Sequence, residues 1–143
     1  MTIRKGKFLL SVVLLLLVTV AGCKKYPDGP LVSLRSKKER VANNWKVGQA
    51  FENGNDVTSD YTKYELDLTK GGEASLSAIY VVLGATFEFV TSGNWTLVSD
   101  NEKLYFDFDN NDGDATYSIL KLEEDDMWLK KDGDSVELHL VTR

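Results

Sequence analysis

Residues 93–108 read GNWTLVSDNEKLYFDF and contain two short runs in which apolar and polar side chains alternate. The first run covers residues 95–97, and the second covers residues 104–108. A period of two is typical of a β-strand with one buried face. The polar segment Ser99-Asp100-Asn101 between the runs has the residue types that tight turns prefer. This stretch therefore predicts two antiparallel strands joined by a turn.

The same period of two continues through almost all of residues 45–143. Turn-forming residues stand between the runs, including Gly71-Gly72, Gly84, Ser92-Gly93-Asn94 and Gly133. No helical stretch of ten residues interrupts the pattern. We therefore predict an all-β domain of about eight antiparallel strands in up-and-down order. A closed barrel is favoured because it leaves no exposed sheet edge, and a two-sheet sandwich is the alternative.

The alternation also predicts which side chains face the barrel interior. That set is Trp45, Val47, Phe51, Tyr64, Leu66, Leu68, Phe87, Phe89, Trp95, Leu97, Leu104, Phe106, Phe108, Leu120, Leu122, Leu129, Val136, Leu138 and Leu140. An eight-stranded barrel is either filled by its side chains or able to hold one small ligand. The large side chains favour a filled core. If a ligand binds, the candidate contacts are the interior aromatic residues Trp45, Tyr64, Phe87, Phe89, Trp95, Phe106 and Phe108.

Residues 1–22 have the three parts of a secretory signal peptide. A basic start with Arg4, Lys5 and Lys7 precedes an apolar core over residues 8–20, which is too short for a comfortable membrane span. The sequence Val20-Ala21-Gly22-Cys23 resembles the lipobox of bacterial lipoproteins. That resemblance implies cleavage before Cys23 and acylation of this residue, for example by palmitate, which would anchor the chain in a membrane.

Residues 23–44 are predicted to form a tether between the anchor and the barrel. Pro27 and Pro30 indicate an extended spacer, and Ser36 with Glu39 has the spacing of a capping box at the start of a short helix. The tether carries a net charge of +4, whereas residues 45–143 carry a net charge of −12. A basic tether is favourable beside anionic headgroups, and an acidic body argues against nucleic acid as a partner.

Several short motifs make the chain similar to the small lipocalin-like lipoproteins of Gram-negative bacteria. They are the basic helix, the opening strand Trp45-Lys46-Val47, Gly93-Asn94-Trp95-Thr96-Leu97, Ile119-Leu120-Lys121-Leu122 and Met127-Trp128-Leu129. The resemblance implies an eight-stranded, calycin-type barrel over residues 45–143 and a small apolar ligand. It does not itself establish a function, because one fold can host many activities.

Catalytic and metal-binding patterns are weak in this sequence. The single histidine, His139, alternates with Leu138 and Leu140 and is expected on the polar face of a strand. After lipidation of Cys23 no thiol nucleophile remains, so an enzyme would depend on carboxylates alone. Asp107, Asp109, Asp112 and Asp114 resemble a calcium loop, but the register of an EF-hand fails, and an acidic turn is the plainer interpretation.

The sequence thus predicts a non-enzymatic lipoprotein of the cell envelope with no cofactor, in which the lipid at Cys23 binds the membrane. The outer membrane is favoured, and the leaflet stays open. We expect the barrel to bind a small apolar ligand. The alternative is a filled barrel that acts as an envelope scaffold or as a module binding a protein or a glycan. A carboxylate hydrolase is a third possibility, which would require two facing acids in a cleft.

Overall fold

The computed structural model of the chain describes residues 35–143, and for residues 80–82 it describes the backbone alone. The predicted leader 1–22, the lipidation site Cys23 and the tether up to residue 34 lie outside the described residues. Within residues 35–143 there is no helix that is both long enough and apolar enough to cross a membrane.

A short helix, α1 (Lys37–Val41), precedes the first strand and has the predicted capping box. The Ser36 hydroxyl accepts a hydrogen bond from the Glu39 backbone N–H at 3.2 Å, and the Glu39 carboxylate accepts one from the Ser36 N–H at 2.9 Å. The hydrogen bonds that the Glu39 carboxylate accepts from the backbone N–H and the hydroxyl of Ser36 lower the pKa of Glu39. Arg40 Nη1 donates to the Leu122 carbonyl at 2.8 Å, and Trp45 Nε1 donates to the Val41 carbonyl at 2.8 Å. The helix is therefore fixed across one end of the domain.

The remainder of the described chain consists of short strands, two 3₁₀ helices and turns. The strands are β1 (Asn44–Glu52), β2 (Asn55–Asp56), β3 (Glu65–Leu68), β4 (Glu73–Val82), β5 (Ala85–Val98), β6 (Lys103–Phe108), β7 (Ala115–Leu122), β8 (Asp126–Lys131) and β9 (Val136–Thr142). The 3₁₀ helices are Thr58–Tyr61 and Asn111–Gly113.

Antiparallel pairing of neighbouring strands closes these elements into a barrel. The strands follow one another in chain order from β3 to β9, and β1 pairs with both β3 and β9. The two-residue strand β2 only extends the end of β1 as a small hairpin. In the described residues eight strands therefore form a closed barrel, which confirms the predicted fold and excludes the sandwich. The barrel and its core lie within residues 41–143, so a chain that starts at residue 24 contains all of it.

The end of the barrel beside α1 is filled by large apolar side chains. Those that are completely inaccessible to solvent are Val41, Trp45, Leu104, Leu122, Met127 and Leu140. Val41 on the helix and Trp45 on β1 share this core. This closed end is the filled core that the size of the interior side chains led us to expect.

Two β-bulges change the predicted inner face. The pairing of β1 with β9 shifts between Val47 and Gln49, so Ala50 is buried and Phe51 turns to the outside, against the ring of His139. The pairing of β7 with β8 shifts after Ile119, which is 4% exposed. The interior assignments of Phe51 and Leu120 are therefore wrong, because a strict period of two does not survive an inserted residue.

The predicted turn at Ser92-Gly93-Asn94 is also wrong, because β5 runs through it without interruption. Gly93 pairs with Phe108 at a point where β5 and β6 approach very closely. A Cβ atom at Gly93 would lie 2.1 Å from the Asp107 carbonyl oxygen and 2.6 Å from the Phe108 Cα. Glycine is present here because the backbone of β6 occupies the space that a side chain would need.

Strands β4 and β5 extend beyond the barrel as a hairpin, residues 79–90, which we call the arm. Strand β3 pairs with β4 only as far as Ser77, and β6 pairs with β5 only from Gly93 onward. The turn of the arm is Leu83-Gly84, and both residues have positive φ angles. On the arm Phe87 is 55% exposed, so its predicted burial in the barrel is wrong. The barrel is too short on this side to cover it.

The close approach at Gly93 gives a test of the fold. We expect Gly93→Ala to lower the free energy of unfolding by about 3 kcal/mol, because the backbone of β6 must move to admit the methyl group. The matched control is Gly71→Ala, where the new Cβ would meet only the Thr69 hydroxyl at 3.6 Å. The control should change stability by less than about 0.5 kcal/mol. Urea denaturation of the chain from residue 24 measures the free energy of unfolding of both variants. Equal free energies for Gly93→Ala and Gly71→Ala would contradict the close approach of β5 and β6 at Gly93.

Candidate ligand pocket

The end of the barrel opposite α1 is open and contains a pocket of about 340 Å³. This volume lies within the range of small-molecule sites. The pocket is lined by Tyr61, Tyr64, Leu76, Phe89, Asp112, Gly113, Ala115, Tyr117, Lys131, Val136 and Leu138. These residues come from strands β4, β5, β7, β8 and β9, from both 3₁₀ helices and from the segment before β3. By residue type, eight of the eleven lining residues are aliphatic or aromatic, and three of these eight are tyrosines, which carry a polar hydroxyl group.

One wall of the pocket is built by the segment between β2 and β3. The rings of Tyr61 and Tyr64 are 5.8 Å apart, and the Tyr64 N–H donates to the Tyr61 carbonyl at 3.1 Å. The Thr58 hydroxyl donates to the Asp56 carboxylate at 2.5 Å and accepts from the Ala50 N–H at 3.0 Å. These bonds tie the 3₁₀ helix that carries Tyr61 to the end of β1.

The same hydrogen bonds affect the titration of Asp56. The hydroxyl and the backbone N–H of Thr58 both donate to its carboxylate, and together they hold the pKa of Asp56 below its ordinary value of 3.8. A lowered carboxyl pKa means that the ionised form is the one that the fold favours. Asp56 therefore acts as a negatively charged anchor for the wall of the pocket.

The opposite wall comes from β7 and β9, and it joins the pocket to the core. Tyr117 stands with its ring 5.8 Å from that of Phe106, in an edge-to-face arrangement, and Phe106 stacks on Phe108 at 5.7 Å. Such geometries are favourable for aromatic pairs. Ala115 lies beside them, and its small side chain leaves space that a larger one would fill.

Only two of the eleven residues around the pocket are charged, Lys131 and Asp112. The Lys131 ammonium lies 3.8 Å from the Asp134 carboxylate, in a half-exposed pair. The Asp112 N–H donates to the Asn110 side chain at 3.1 Å within the turn before β7. The lining thus combines aromatic and aliphatic side chains with one cation and one anion.

The structure separates the seven aromatic residues predicted as ligand contacts into three groups. Tyr64 and Phe89 line the pocket. Four others are packed into the core and are at most 4% exposed: Trp45, Trp95, Phe106 and Phe108. Phe87 lies on the arm, beyond the barrel. Whether any of them contacts a ligand stays a prediction.

Sequence reasoning did not select several residues that line the pocket, including Tyr61, Leu76 and Tyr117. Tyr61 lies in a segment without alternation, so no pattern pointed to it. Tyr117 lies two residues before the buried Ile119, so both side chains are on the inner face of β7. A strict alternation places Leu120 and Leu122 inside, and it therefore assigns Tyr117 to the wrong face, because it ignores the bulge after Ile119. Leu76 lies on the inner face of β4, where the nearly continuous apolar run hides the period of two.

The four aspartates of the acidic turn do not converge on a cation site. Asp114 accepts a hydrogen bond from the Phe108 N–H at 2.7 Å, and Asp109 accepts one from the Ser92 hydroxyl at 3.3 Å. Across residues 35–143, no group of three or more His, Cys, Asp or Glu side chains is arranged to hold a metal ion. The carboxylates of Asp109 and Asp114 thus bond to the chain itself, Asp112 lies in the turn, and Asp107 lies in strand β6.

The outer face of β7, β8 and β9 carries a second group of interacting side chains, which we call the outer row. His139 stacks on Trp128 with the ring centroids 3.9 Å apart, and Lys121 lies over the same indole at 4.8 Å. His139 Nε2 lies 2.7 Å from the Glu137 carboxylate. His139 points outward as predicted, but it is half-buried by these neighbours.

The comparisons with known proteins agree with this architecture. No family model matches the sequence, and a search of curated proteins finds no significant relative. Among solved structures, a lipocalin-like protein from Bacteroides uniformis is similar with a TM-score of 0.53 and 15% sequence identity. The match covers 73% of this chain and 99% of that chain. The chain has a lipocalin-like fold. At this identity the likeness concerns the fold alone.

The hydrogen bonds of Thr58 give a test of how the wall of the pocket is held. In Thr58→Val the Ala50 N–H loses its acceptor, and we expect the free energy of unfolding to fall by about 1–2 kcal/mol. The pKa of Asp56, followed by NMR titration, should rise toward 3.8, because the hydroxyl that lowers it is gone.

The sign of the pH dependence follows from that lowered pKa. In the unchanged protein Asp56 stabilises the fold above pH 3.8, and this contribution is lost as the pH falls through the lowered pKa. Thr58→Val should weaken this dependence. Thr62→Val, at an exposed position just after the same 3₁₀ helix, is the control and should leave stability and the pKa of Asp56 unchanged. If the pKa of Asp56 is the same in Thr58→Val as in the unchanged protein, the Thr58 hydroxyl is not the group that lowers it.

Proposed function

We propose that this protein is a membrane-anchored lipoprotein whose barrel binds a small apolar ligand in the pocket at its open end. The observation that carries the proposal is the division of the barrel into a filled end and an open end. The filled end stabilises the fold, and the open end leaves a pocket of about 340 Å³ between aromatic and aliphatic side chains. Displacing water from such a surface favours the binding of an apolar molecule.

The composition of the pocket supports binding without catalysis. Its two charged residues, Asp112 and Lys131, are accompanied by aromatic and aliphatic side chains, and no histidine, serine or cysteine is among the lining residues. Nucleophilic catalysis needs a nucleophile beside a base, and glycoside hydrolysis needs two facing carboxyl groups. We therefore propose a carrier or sensor, which acts through the ligand that it holds.

The sequence before residue 35 supports the anchoring part of the proposal. Acylation at Cys23 would hold the barrel near a membrane surface, and the basic tether would lie beside the headgroups. Lys24 directly after the anchor favours the outer membrane by analogy with lipoprotein sorting. The barrel would then work in the cell envelope, at the end of a tether of about twenty residues.

The outer row favours a second candidate function, a scaffold that binds an envelope protein or a glycan. A groove of about 550 Å³ lies beside it and is lined by Phe51, Asn53, Gly54, Lys130, Ser135, Glu137 and His139. Aromatic rings with adjacent hydrogen-bonding groups are common in surface recognition sites. In this alternative the open end of the barrel would stay empty.

Filling the pocket tests the proposed ligand site. Ala115 and Thr116 are neighbours on β7, and Ala115 faces the pocket while Thr116 faces outward. We expect Ala115→Phe to abolish ligand binding while the barrel still folds, and Thr116→Phe to leave binding unchanged. The readouts are native mass spectrometry of the chain from residue 24, purified from its own host, and the fluorescence of 8-anilinonaphthalene-1-sulfonate.

The unchanged protein should carry an extra mass that is released on unfolding, or should bind the fluorescent probe with enhanced emission. Urea denaturation shows whether each variant is folded. If the unchanged protein shows neither the extra mass nor probe binding, the carrier function is wrong, and the outer row becomes the place to search. Equal binding by the unchanged protein, Ala115→Phe and Thr116→Phe would also contradict the assignment of the ligand site to this pocket.

Metabolic labelling tests the anchor independently of the barrel. We expect labelled palmitate to be incorporated into the full chain and to be absent from Cys23→Ser, because this cysteine is the only one in the sequence. Val20→Leu, which brings the lipobox closer to its usual form, is the control and should retain the label. Label on Cys23→Ser would show that the lipid is attached elsewhere.

A further inference from the structure

The arm has a backbone edge that no other described strand covers. Its strand β5 pairs with β4 without interruption up to the two-residue turn Leu83-Gly84. In such a hairpin every second residue of β5 directs its N–H and C=O groups toward β4, and the residues between them direct these groups away. The Ser92 carbonyl shows which residues these are, because it accepts a hydrogen bond from the Asp109 N–H on the β6 side at 2.8 Å. The even-numbered residues of β5 therefore direct their backbone groups away from β4.

Three of these even-numbered residues, Thr86, Glu88 and Val90, lie beyond the end of β6. Strand β6 pairs with β5 only from Gly93 onward, and within residues 35–143 no backbone group bonds to the outer side of these three residues. Their N–H and C=O groups thus form a free edge, which is able to pair with another strand.

The free edge lacks the features that normally keep two sheet edges apart. Proteins protect exposed edges with lysine, proline, a bulge or a covering element. Residues 85–92 contain no lysine, arginine or proline, and the pairing of β4 with β5 has no bulge. The same segment exposes apolar side chains, since Phe87 is 55% and Val90 is 62% exposed. Removing these side chains from water would favour association.

We propose that this edge binds the same edge of a second copy of the chain, in a two-fold dimer in which Phe87 lies opposite its own counterpart. An antiparallel edge can pair with itself, because a two-fold axis gives both copies the same contacts. In this register Thr86 of each copy exchanges backbone hydrogen bonds with Glu88 of the other. The inference goes beyond the proposed ligand site and does not depend on it.

Charge and side-chain contacts select this register over its neighbours. A register centred on Glu88 would set two carboxylates directly opposite each other, which is unfavourable. A register centred on Phe89 would place Thr86 of the second copy opposite Ser92, whose carbonyl is already bonded. With Phe87 on the axis, Glu88 lies opposite Thr86 instead. The two exposed phenyl rings then meet at a non-hydrogen-bonded pair, where cross-strand side chains are closest.

A second copy is the occupant that this edge fits best. It supplies a free edge of the same length, an exposed phenyl ring for Phe87 and the hydroxyl group of Thr86 opposite Glu88. A strand of another protein would have to supply each of these features by itself. Self-complementarity in hydrogen bonding, charge and apolar contact therefore favours the dimer.

Disulfide formation tests the register directly, because the chain from residue 24 contains no cysteine. In the dimer the two Cα atoms of residue 87 would be about 4.5 Å apart, which is within the range of a disulfide bond. We expect Phe87→Cys to form a disulfide-linked dimer under mild oxidation, as measured by non-reducing gel electrophoresis. Val90→Cys is the matched control, since Val90 is similarly exposed on the same strand. Its Cα atom would stand about 20 Å from its counterpart, so it should not cross-link.

Sedimentation velocity tests the dimer without a covalent bond. The unchanged protein should show a dimer fraction that rises with protein concentration. Phe87→Lys should weaken dimerisation by more than about tenfold, because two ammonium groups would face each other across the axis. An equimolar mixture of Phe87→Lys and Phe87→Glu should restore the dimer, because opposite charges would then meet. Urea denaturation checks that each variant is folded.

Four results would overturn the inference. The first is an unchanged protein that stays monomeric at all concentrations, and the second is an equal disulfide yield from Phe87→Cys and Val90→Cys. The third is dimerisation that Phe87→Lys leaves unaltered, which would place the interface elsewhere. The fourth is a mixture of the two charged variants that stays monomeric. None of these results bears on the ligand pocket, which the binding of 8-anilinonaphthalene-1-sulfonate tests separately.

Discussion

The pairing of β1 with β9 is the interaction on which the rest of the structure depends. It joins strands that are about ninety residues apart in the sequence, in a register that runs from Trp45 opposite Thr142 to Glu52 opposite Val136. The entropic cost of closing so long a loop grows only slowly with its length. Closure also gives hydrogen-bond partners to the backbone groups of two sheet edges at once. It also completes the pocket, because Tyr61 and Tyr64 follow β1, whereas Val136 and Leu138 lie on β9.

The two ends of the barrel differ because of the size of the side chains and the presence of the helix. At the closed end, Trp45, Leu104 and Leu122 are completely buried, and α1 lies across them through its bonds to Leu122 and Trp45. At the open end, Gly113 lies so close to the Phe108 ring that a Cβ atom would be 2.9 Å from it. Glycine at this position makes room for the Phe108 ring, and the small side chain of Ala115 leaves part of the open end unfilled. One barrel can therefore combine a stable core with a binding pocket.

The arm differs from the rest of the described surface in its side chains, its backbone edges and the conformation of its turn. It exposes apolar side chains, and its backbone edges beyond the barrel have no strand partner among residues 35–143. At its tip Leu83 adopts a φ of 52°, a conformation that favours asparagine or glycine over leucine. Exposed apolar patches and unfavourable backbone conformations often mark places where a protein binds something. These exceptions all lie on the arm, which begins at the pocket, where Phe89 contributes to the lining.

The sequence by itself determined the strand content, the up-and-down order and the helix with its capping box, because these depend on side-chain alternation and on local turn and cap chemistry. It also pointed to Tyr64 and Phe89 as interior residues. It could not determine where the period of two would break, since the bulges near Gly48 and after Ile119 depend on how facing strands pair. Only the tertiary structure showed that Gly93 permits a close strand crossing and that Phe87 extends beyond the barrel. Only closure of the barrel brought Tyr61, Tyr117 and Leu138 around one pocket, because the distances between residues remote in the sequence are set by the packing of all eight strands.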